Sequence, residues 1–441
     1  MQVSRGLRAR ATCALPPSRT IAKKSGWIAV IVICSSIAEV LQAQPLDTLS
    51  LDEAERLALE QEPGQAAYRA RAEALEEQAL AAGQLPDPRL RVGLANYPVK
   101  GGGLSSEPMA QAQIGFQQSF PPGESRAIST RRFQALAEEM TENAVARGRD
   151  ALTGVRSAWL DSYFWGQSHA VVTELRPLFA DLVTVTRSLY AVGSRDQQDV
   201  LRAQLELSRL DDRLIGIDEQ RARASAALAE WLPDDADRPI TDSLPDWQQV
   251  PALEELKARL DSHPVIKAAD ARITTRQAGI DLAREQYKAG WTLDASYGYR
   301  DSVLPSGAPR SDMISVAFIV DLPFFRSNRQ DRTLAAAFSE RRAASESKEQ
   351  LHRRLVSQLE AEHARWQELT RRLELYDRLI LVQTEENAQA ALLAYQSEAG
   401  DFADVMRGYI DGLNTRLEYL RIEVERAQTY AALANLGGLV Q

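Results

Sequence analysis

The sequence is poor in the residues that most catalytic and metal sites require. Of 441 residues only two are cysteine, Cys13 and Cys34, and both precede residue 44. The rest of the chain can form neither a disulfide framework nor a cysteine-ligated metal site. Histidine occurs four times, at His169, His263, His352 and His363. His352 and His363 return to nearly one face of a helix but stand about 16 Å apart along it, too far to share an ion. H-E-x-x-H, the P-loop and G-x-S-x-G are missing, and with them the signatures of metallopeptidases, nucleotide hydrolases and serine hydrolases. No catalytic group, cofactor or metal site is therefore expected. An excess of positive charge is missing too: the formal net charge is −9, which argues against nucleic acid as a partner.

One marked apolar run is present, WIAVIVICSSIA at residues 27–38. It falls short of the ~20 residues of a membrane-spanning helix. It follows Arg5, Arg8, Arg10, Arg19, Lys23 and Lys24 with no acid among them, and leads to a polar exit. That is the pattern of a secretory signal, with Ala43 the expected last residue removed. Ile33 before Cys34 is not the small residue of a lipoprotein signal. The expected division is a signal peptide at 1–43, a first repeat at 44–232, a linker at 233–250 and a second repeat at 251–441.

The repeat is read from the order of its parts. Residues 50–84 are rich in Ala, Leu and Glu and read as helix, with Ser50 and Glu53 as a capping signal. Residues 251–286 have the same length and spacing, and Pro63 and Pro264 fall at matching places, each expected to kink or break the helix. Two alternating runs follow in each copy: 89–97 and 111–121, then 291–299 and 314–324. Alternation reads as half-buried strand. Ile314, Val316, Phe318, Val320 and Leu322 share one face, as do Ile114, Phe116 and Phe120 in the first copy. Long helical tracts come next, at about 126–191 and 326–396, each roughly 100 Å long at 1.5 Å per residue. Leu175, Phe179, Leu182 and Leu189 recur at coiled-coil spacing, as do Leu369, Leu373, Tyr376 and Ile380. Each tract ends in a short break, LYAVGSRDQQDV at 189–200 and AYQSEAGDFADV at 394–405. The interval from Tyr190 to Asp199 equals that from Tyr395 to Asp404. Gly193 and Gly400 are expected to take the positive φ of a tight reversal. Return helices follow at 197–232 and 402–437. The Pro- and Asp-rich stretch 232–250 reads as loop.

Each copy thus reads helix, strand, strand, long helix, turn, helix. The fold class is mainly α with a small β part. Four strands with an apolar face turned outward cannot stand alone in water. If that face meets lipid, every backbone polar group needs a partner, and only a closed barrel provides one. Four strands are too few to close, so the chain must assemble. Three copies give about twelve strands, a normal barrel size. The tandem helical hairpins would then form a long coiled-coil barrel below it. Tyr97, Trp291, Tyr297 and Tyr299 lie near strand ends, where an interfacial aromatic girdle would place them.

With this order of elements, the FPPG stretch at 120–123 and the two breaks, the chain resembles the TolC family of outer-membrane efflux ducts over about residues 46–439. The resemblance implies a homotrimer with its β-barrel in outer-membrane lipid of a Gram-negative bacterium and most of its chain in the periplasm. It implies two further partners, a periplasmic adaptor and a proton-driven inner-membrane pump. It places the adaptor-docking tips at Val192, Gly193 and Ser194 and at Ala399, Gly400 and Asp401. Asp404 matches the first of two gate aspartates found in some members, whereas the second position holds Arg407. The spacing of these two also allows a plain intrahelical ion pair. FPPGESRA looks most like members that serve heavy-metal pumps, for copper/silver or cobalt/zinc/cadmium. The competing expectation is a periplasmic coiled-coil scaffold or adaptor without a barrel. It accounts for the helices and the signal but leaves the two matching strand pairs unexplained.

Overall fold

A computed structural model describes residues 48–438. The expected signal segment, its cleavage point after Ala43 and both cysteines lie outside the described residues. Ser50 caps the first helix, α1 (Leu51–Glu60), by accepting from the Glu53 amide at 3.3 Å. The helix then breaks, and Pro63 opens α2 (Pro63–Ala82). Proline suits that first turn, where an N–H would have no helical partner. Buried Glu62 caps the turn through the Gly64 amide at 2.8 Å and pairs with Arg147 at 2.9 Å. The second copy uses the same device. After α5 (Leu253–Arg259) and a 3-10 turn, Pro264 opens α6 (Pro264–Glu285). Its cap is His263, whose Nδ1 accepts from the Val265 amide at 3.3 Å. Burial and then Arg149 hold the His263 pKa below its usual value, which keeps the ring a neutral acceptor.

The first long helix, α3 (Ser125–Ala191), runs unbroken for 67 residues despite Pro177. The second tract, expected as one helix, is divided. It consists of α7 (Gln330–Leu375), a π turn (Tyr376–Ile380) and α8 (Leu381–Gln396). A π turn inserts an extra residue into a helical turn, a local defect that periodicity does not announce. The Tyr419 hydroxyl donates to Asp377 at 3.3 Å and ties this turn to the helix that follows it in space. The return helices are α4 (Gln197–Leu228) and α9 (Phe402–Gly437). The first ends at Leu228, short of the expected Leu232, in a turn where the Trp231 and Leu232 amides both bond the Leu228 carbonyl, at 3.0 and 2.9 Å.

The helices pack in two rows. Near the sheet the order is α2, α3, α6, α7; away from it the order is α4, α3, α9, α8. Where the rows meet, a core joins both repeats: Trp159 and Phe164 of α3 pack with Leu51, Leu228, Trp247 and Val424. The stretch after α4 is therefore a packed strap rather than a free loop. Its Ile240 bridges Leu49, and the Trp159 indole N–H donates to the Leu49 carbonyl at 3.0 Å. Farther out, Leu175, Phe179 and Leu182 pack against Leu210, Tyr395, Phe402 and Leu413, with Leu189 partly buried beside them. The expected second seam is thinner: Leu369 is buried, whereas Leu373, Tyr376 and Ile380 are half-buried.

The strands β1 (Arg89–Ala95), β2 (Gln111–Phe120), β3 (Trp291–Tyr299) and β4 (Met313–Val320) form one antiparallel sheet in that order. β4 stops before the expected Phe324. The Asp321 amide makes the last bond, 2.9 Å to the Gly290 carbonyl, and Pro323 then has no N–H to offer.

Arg156 ties α1, α3 and the strap together. It forks onto Glu55 at 2.7 and 3.0 Å while its guanidinium lies 5.4 Å from the Trp247 ring centre. Both charges are largely buried, so Arg156→Ala strands a carboxylate and should cost about 3–5 kcal/mol. Thermal unfolding should show a clear loss for Arg156→Ala and a smaller one when Glu55→Ala is added.

Candidate functional site

Two regions depart from the rules of a soluble protein, the sheet and the far end of the helices. In the sheet, register places Val92, Ile114, Tyr297 and Ile314 in one row across all strands, and Leu90, Phe116, Ala295 and Val316 in the next. Val92 is 73%, Ile314 79% and Phe318 68% exposed. The opposite face carries Arg89, Arg91, Gln113, Gln117, Thr292, Asp294 and Ser315. On that polar face Gly115, Ser296 and Gly298 are buried. The sheet thus bares its apolar face, the reverse of a sheet over a water-soluble core. Arg91 reaches across Gly115, where no side chain blocks it, to Asp294 at 3.3 Å. β1 and β4 are both edges, each with an unpaired row of backbone groups.

Aromatic residues mark both ends of this band. Trp291 stacks on Phe120 at 3.9 Å at the end nearer the helices; Tyr97 and Tyr299 stand at the other, with Tyr297 one rung inward. Phe324 and Phe325, 75% and 81% exposed, add to the helix-side end. Phe324 closed the last alternating run and Phe325 lay just past it, but the sequence reading did not place either in the girdle. Among the described residues no helix is long and apolar enough to cross a membrane, and no group of three or more His, Cys, Asp or Glu could hold a metal ion.

At the far end the two reversals are built alike. Ser194 N–H bonds the Leu189 carbonyl at 3.0 Å, and Ala399 N–H bonds the Ala394 carbonyl at 2.9 Å. Gly193 N–H reaches Tyr190 O at 3.0 Å and Glu398 N–H reaches Tyr395 O at 3.2 Å. The 6→1 bond marks a Schellman-type stop, which needs one residue in the left-handed region. In the first reversal that residue is Gly193, with φ 74°. In the second it is Glu398, with φ 60°, and not Gly400. Gly400 serves a different need: a Cβ there would stand 3.0 Å from the Ala394 Cβ. Val192, Ser194 and Ala399 are exposed, and Asp401 precedes α9 as its N-cap without a side-chain cap bond.

The structure brings the two reversals together through residues that the sequence did not single out as a group. Ser194 Oγ donates to Glu398 at 3.0 Å. Arg195 donates to the Tyr395 carbonyl at 3.1 Å and lies 4.6 Å from the Tyr395 ring centre. The Tyr395 hydroxyl reaches Asp199 at 3.5 Å, a long bond, and its ring packs on Phe402. Tyr395 is only 1% exposed. Asp404 and Arg407 do not join this cluster; they form an exposed i, i+3 ion pair at 3.0 Å. Tyr395 and Asp199 lie within the quoted breaks, but a contact between repeats leaves no periodic trace.

Burial raises the Asp199 pKa, with the cations Arg202 and Arg195 opposing it. An ionised Asp199 therefore costs the folded tip. That cost is absent below the unfolded value of ~4 and grows as pH rises through the raised folded value. Protection factors of the 192–195 amides, taken relative to intrinsic exchange at each pH, should rise on acidification from neutral pH, and Asp199→Asn should abolish that rise. Backbone strain gives a second test of the same region. Gly193→Ala should destabilise the first reversal by about 1 kcal/mol, while Glu398→Gly should relieve similar strain in the second, less the lost bond to Ser194. Local exchange rates at the two reversals would then move in opposite directions.

No family model matches the chain, and no curated protein does. Solved structures do. The outer-membrane protein VceC from Vibrio cholerae is 19% identical, with 88% of this chain and 96% of that chain covered and a TM-score of 0.72. A membrane protein from Pseudomonas aeruginosa is 17% identical, with 88% and 92% covered and a TM-score of 0.76. The MtrE outer-membrane channel of Neisseria gonorrhoeae, in its open state, is 16% identical, with 88% of each chain covered and a TM-score of 0.70. Identity at this level speaks to fold, and the fold of these membrane proteins is the fold of this chain.

Proposed function

We propose that this chain, which has the TolC-type channel fold, is one subunit of a trimeric exit duct that spans the outer membrane and periplasm of a Gram-negative bacterium. The inverted sheet carries the reading. Its bare apolar face suits lipid, its polar face suits a water-filled lumen, and its two open edges require neighbours. Three copies joined edge to edge supply about twelve strands. A periplasmic scaffold would leave Val92, Ile314 and Phe318 in water together, a contiguous patch that soluble proteins avoid.

A duct of this kind does no chemistry of its own. Its work is driven through the two partners we assign, a periplasmic adaptor and a proton-driven inner-membrane pump. The adaptor would meet the exposed reversals at Val192, Gly193, Ser194, Ala399, Gly400 and Asp401. The ties from Ser194 and Arg195 to Glu398 and Tyr395 hold the two reversals side by side, so widening the end requires them to part. The Asp404–Arg407 pair lies beside this gate but is fully hydrated, and such pairs hold little. The FPPGESRA resemblance makes copper/silver and cobalt/zinc/cadmium cations the first substrates to assay.

Two measurements test the reading. Val316→Lys puts a charge on the lipid face at a cost of about 2–4 kcal/mol near mid-membrane. It should cut the amount of assembled protein in the outer membrane, while Ser315→Lys on the lumen face should not. Equal tolerance of both would remove the barrel. In planar bilayers, Tyr395→Phe combined with Arg195→Ala should raise conductance above the wild-type closed state. An unchanged conductance would remove these ties from the gate.

A further inference from the structure

His263 opens α6 at a joint packed between α3, α7 and α9. Leu260 and Ile266, on either side of it, are buried among Leu355, Leu359 and Leu433. His263 itself is 6% exposed. Its Nδ1 accepts from the Val265 amide, so in the neutral ring the proton sits on Nε2. That Nε2 is buried and has no hydrogen-bond partner among the described residues. The ring thus serves the backbone in one protonation state only. A second proton turns Nδ1 into a donor that faces the Val265 donor, and the new charge finds no acceptor at either nitrogen.

The groups around the ring do not make good that loss. From α3 come Arg149, which repels a charged ring, and Asp150, which attracts it but already accepts from Asn435 Nδ2 at 3.2 Å. From α9 comes Asn435, whose backbone favours the charged ring but whose carbonyl already accepts from Arg149 Nη1 at 3.4 Å. Burial and Arg149 outweigh Asn435 and Asp150. α7 presents His352, 3.7 Å from Asp261 in the 3-10 turn before His263. Acid strengthens that solvent-facing pair, and by little. On the joint's own elements Asp261 and Lys267 are the nearest charges along the chain. The first repeat builds the matching joint with opposite chemistry. There the cap is Glu62, held to Arg147 of α3 at 2.9 Å. Two arginines two places apart on one helix thus serve the two caps, one anionic and one an imidazole.

We propose that His263 is an acid-sensitive latch of the second repeat. Protonation removes the cap of α6 and sets the ring against Arg149, which loosens the joint from which α6 leads to β3, while the Glu62 joint of the first repeat holds. The latch belongs to a single chain and does not depend on the duct reading. A released histidine titrates near pH ~6.5. The closed joint holds its ring below that value, so its stability is fully present above it and is lost as pH falls from there towards the folded value. One proton taken up on opening sets the steepest loss at about tenfold per pH unit.

Hydrogen exchange on the full-length protein, read by mass spectrometry and corrected for intrinsic exchange at each pH, tests the latch. Protection of the 265–267 amides should fall between about pH 7 and about pH 5, and that of the 64–66 amides should not. His263→Asn keeps an uncharged cap and should abolish the fall. His263→Asp turns an anion towards Arg149, as at the first joint, and should abolish it too. His352→Asn, which removes the other histidine of the joint, should leave the fall intact. A wild type without the fall, an equal fall at both joints, a fall that survives both His263 variants, or one that His352→Asn abolishes would each overturn the latch.

Discussion

Every backbone N–H and C=O of a strand needs a partner, and β1 and β4 each leave one row without. In water that need is met cheaply. Here the face beside those rows is apolar and bare, and if it meets lipid, as proposed, water is not available to meet that need. This single constraint orders the rest of the structure. It forces neighbours at both edges, and identical neighbours satisfy both edges with one interface repeated. It also explains why the polar side chains gather on the inner face, where Arg91 and Asp294 can pair across a glycine.

The helical part answers a different problem, how to carry a wide wall over a long distance with a short repeat. A long helical tract serves as the spine in each copy, unbroken in the first and interrupted by a π turn in the second. Shorter helices flank it above and below the level where Trp159, Trp247 and Val424 pack. The proline breaks at Pro63 and Pro264 let the upper helices start afresh, each capped by a buried polar residue. The strap between the repeats is drawn into the core at that same level, through Ile240 and Trp247. Both repeats therefore share one belt of packing instead of stacking as separate domains.

Much of this was legible in the sequence, because it rests on local periodicity. The alternating runs located all four strands to within a few residues, and the helices followed from composition and caps. What escaped was non-periodic. The π turn at Tyr376–Ile380 is a one-residue defect. The early end of α4 is a turn closed on the Leu228 carbonyl. The left-handed residue of the second reversal was assigned to Gly400 on residue type, whereas spacing from Tyr395 picks out Glu398, as spacing from Tyr190 picks out Gly193. The cluster of Arg195, Asp199 and Tyr395 joins the two repeats across the fold. Such a contact is visible only once both reversals are placed at one height.

The unequal reversals have a mechanical consequence. Gly193 sits in its left-handed conformation without penalty, whereas Glu398 holds the same backbone shape under strain and keeps it partly through a bond to the other reversal. The first loop is a rigid post and the second leans on it. A pull applied to both at once is therefore not shared equally. The second hairpin yields first, and in the trimer proposed above three such pairs would widen through their second repeats while their first repeats stay standing.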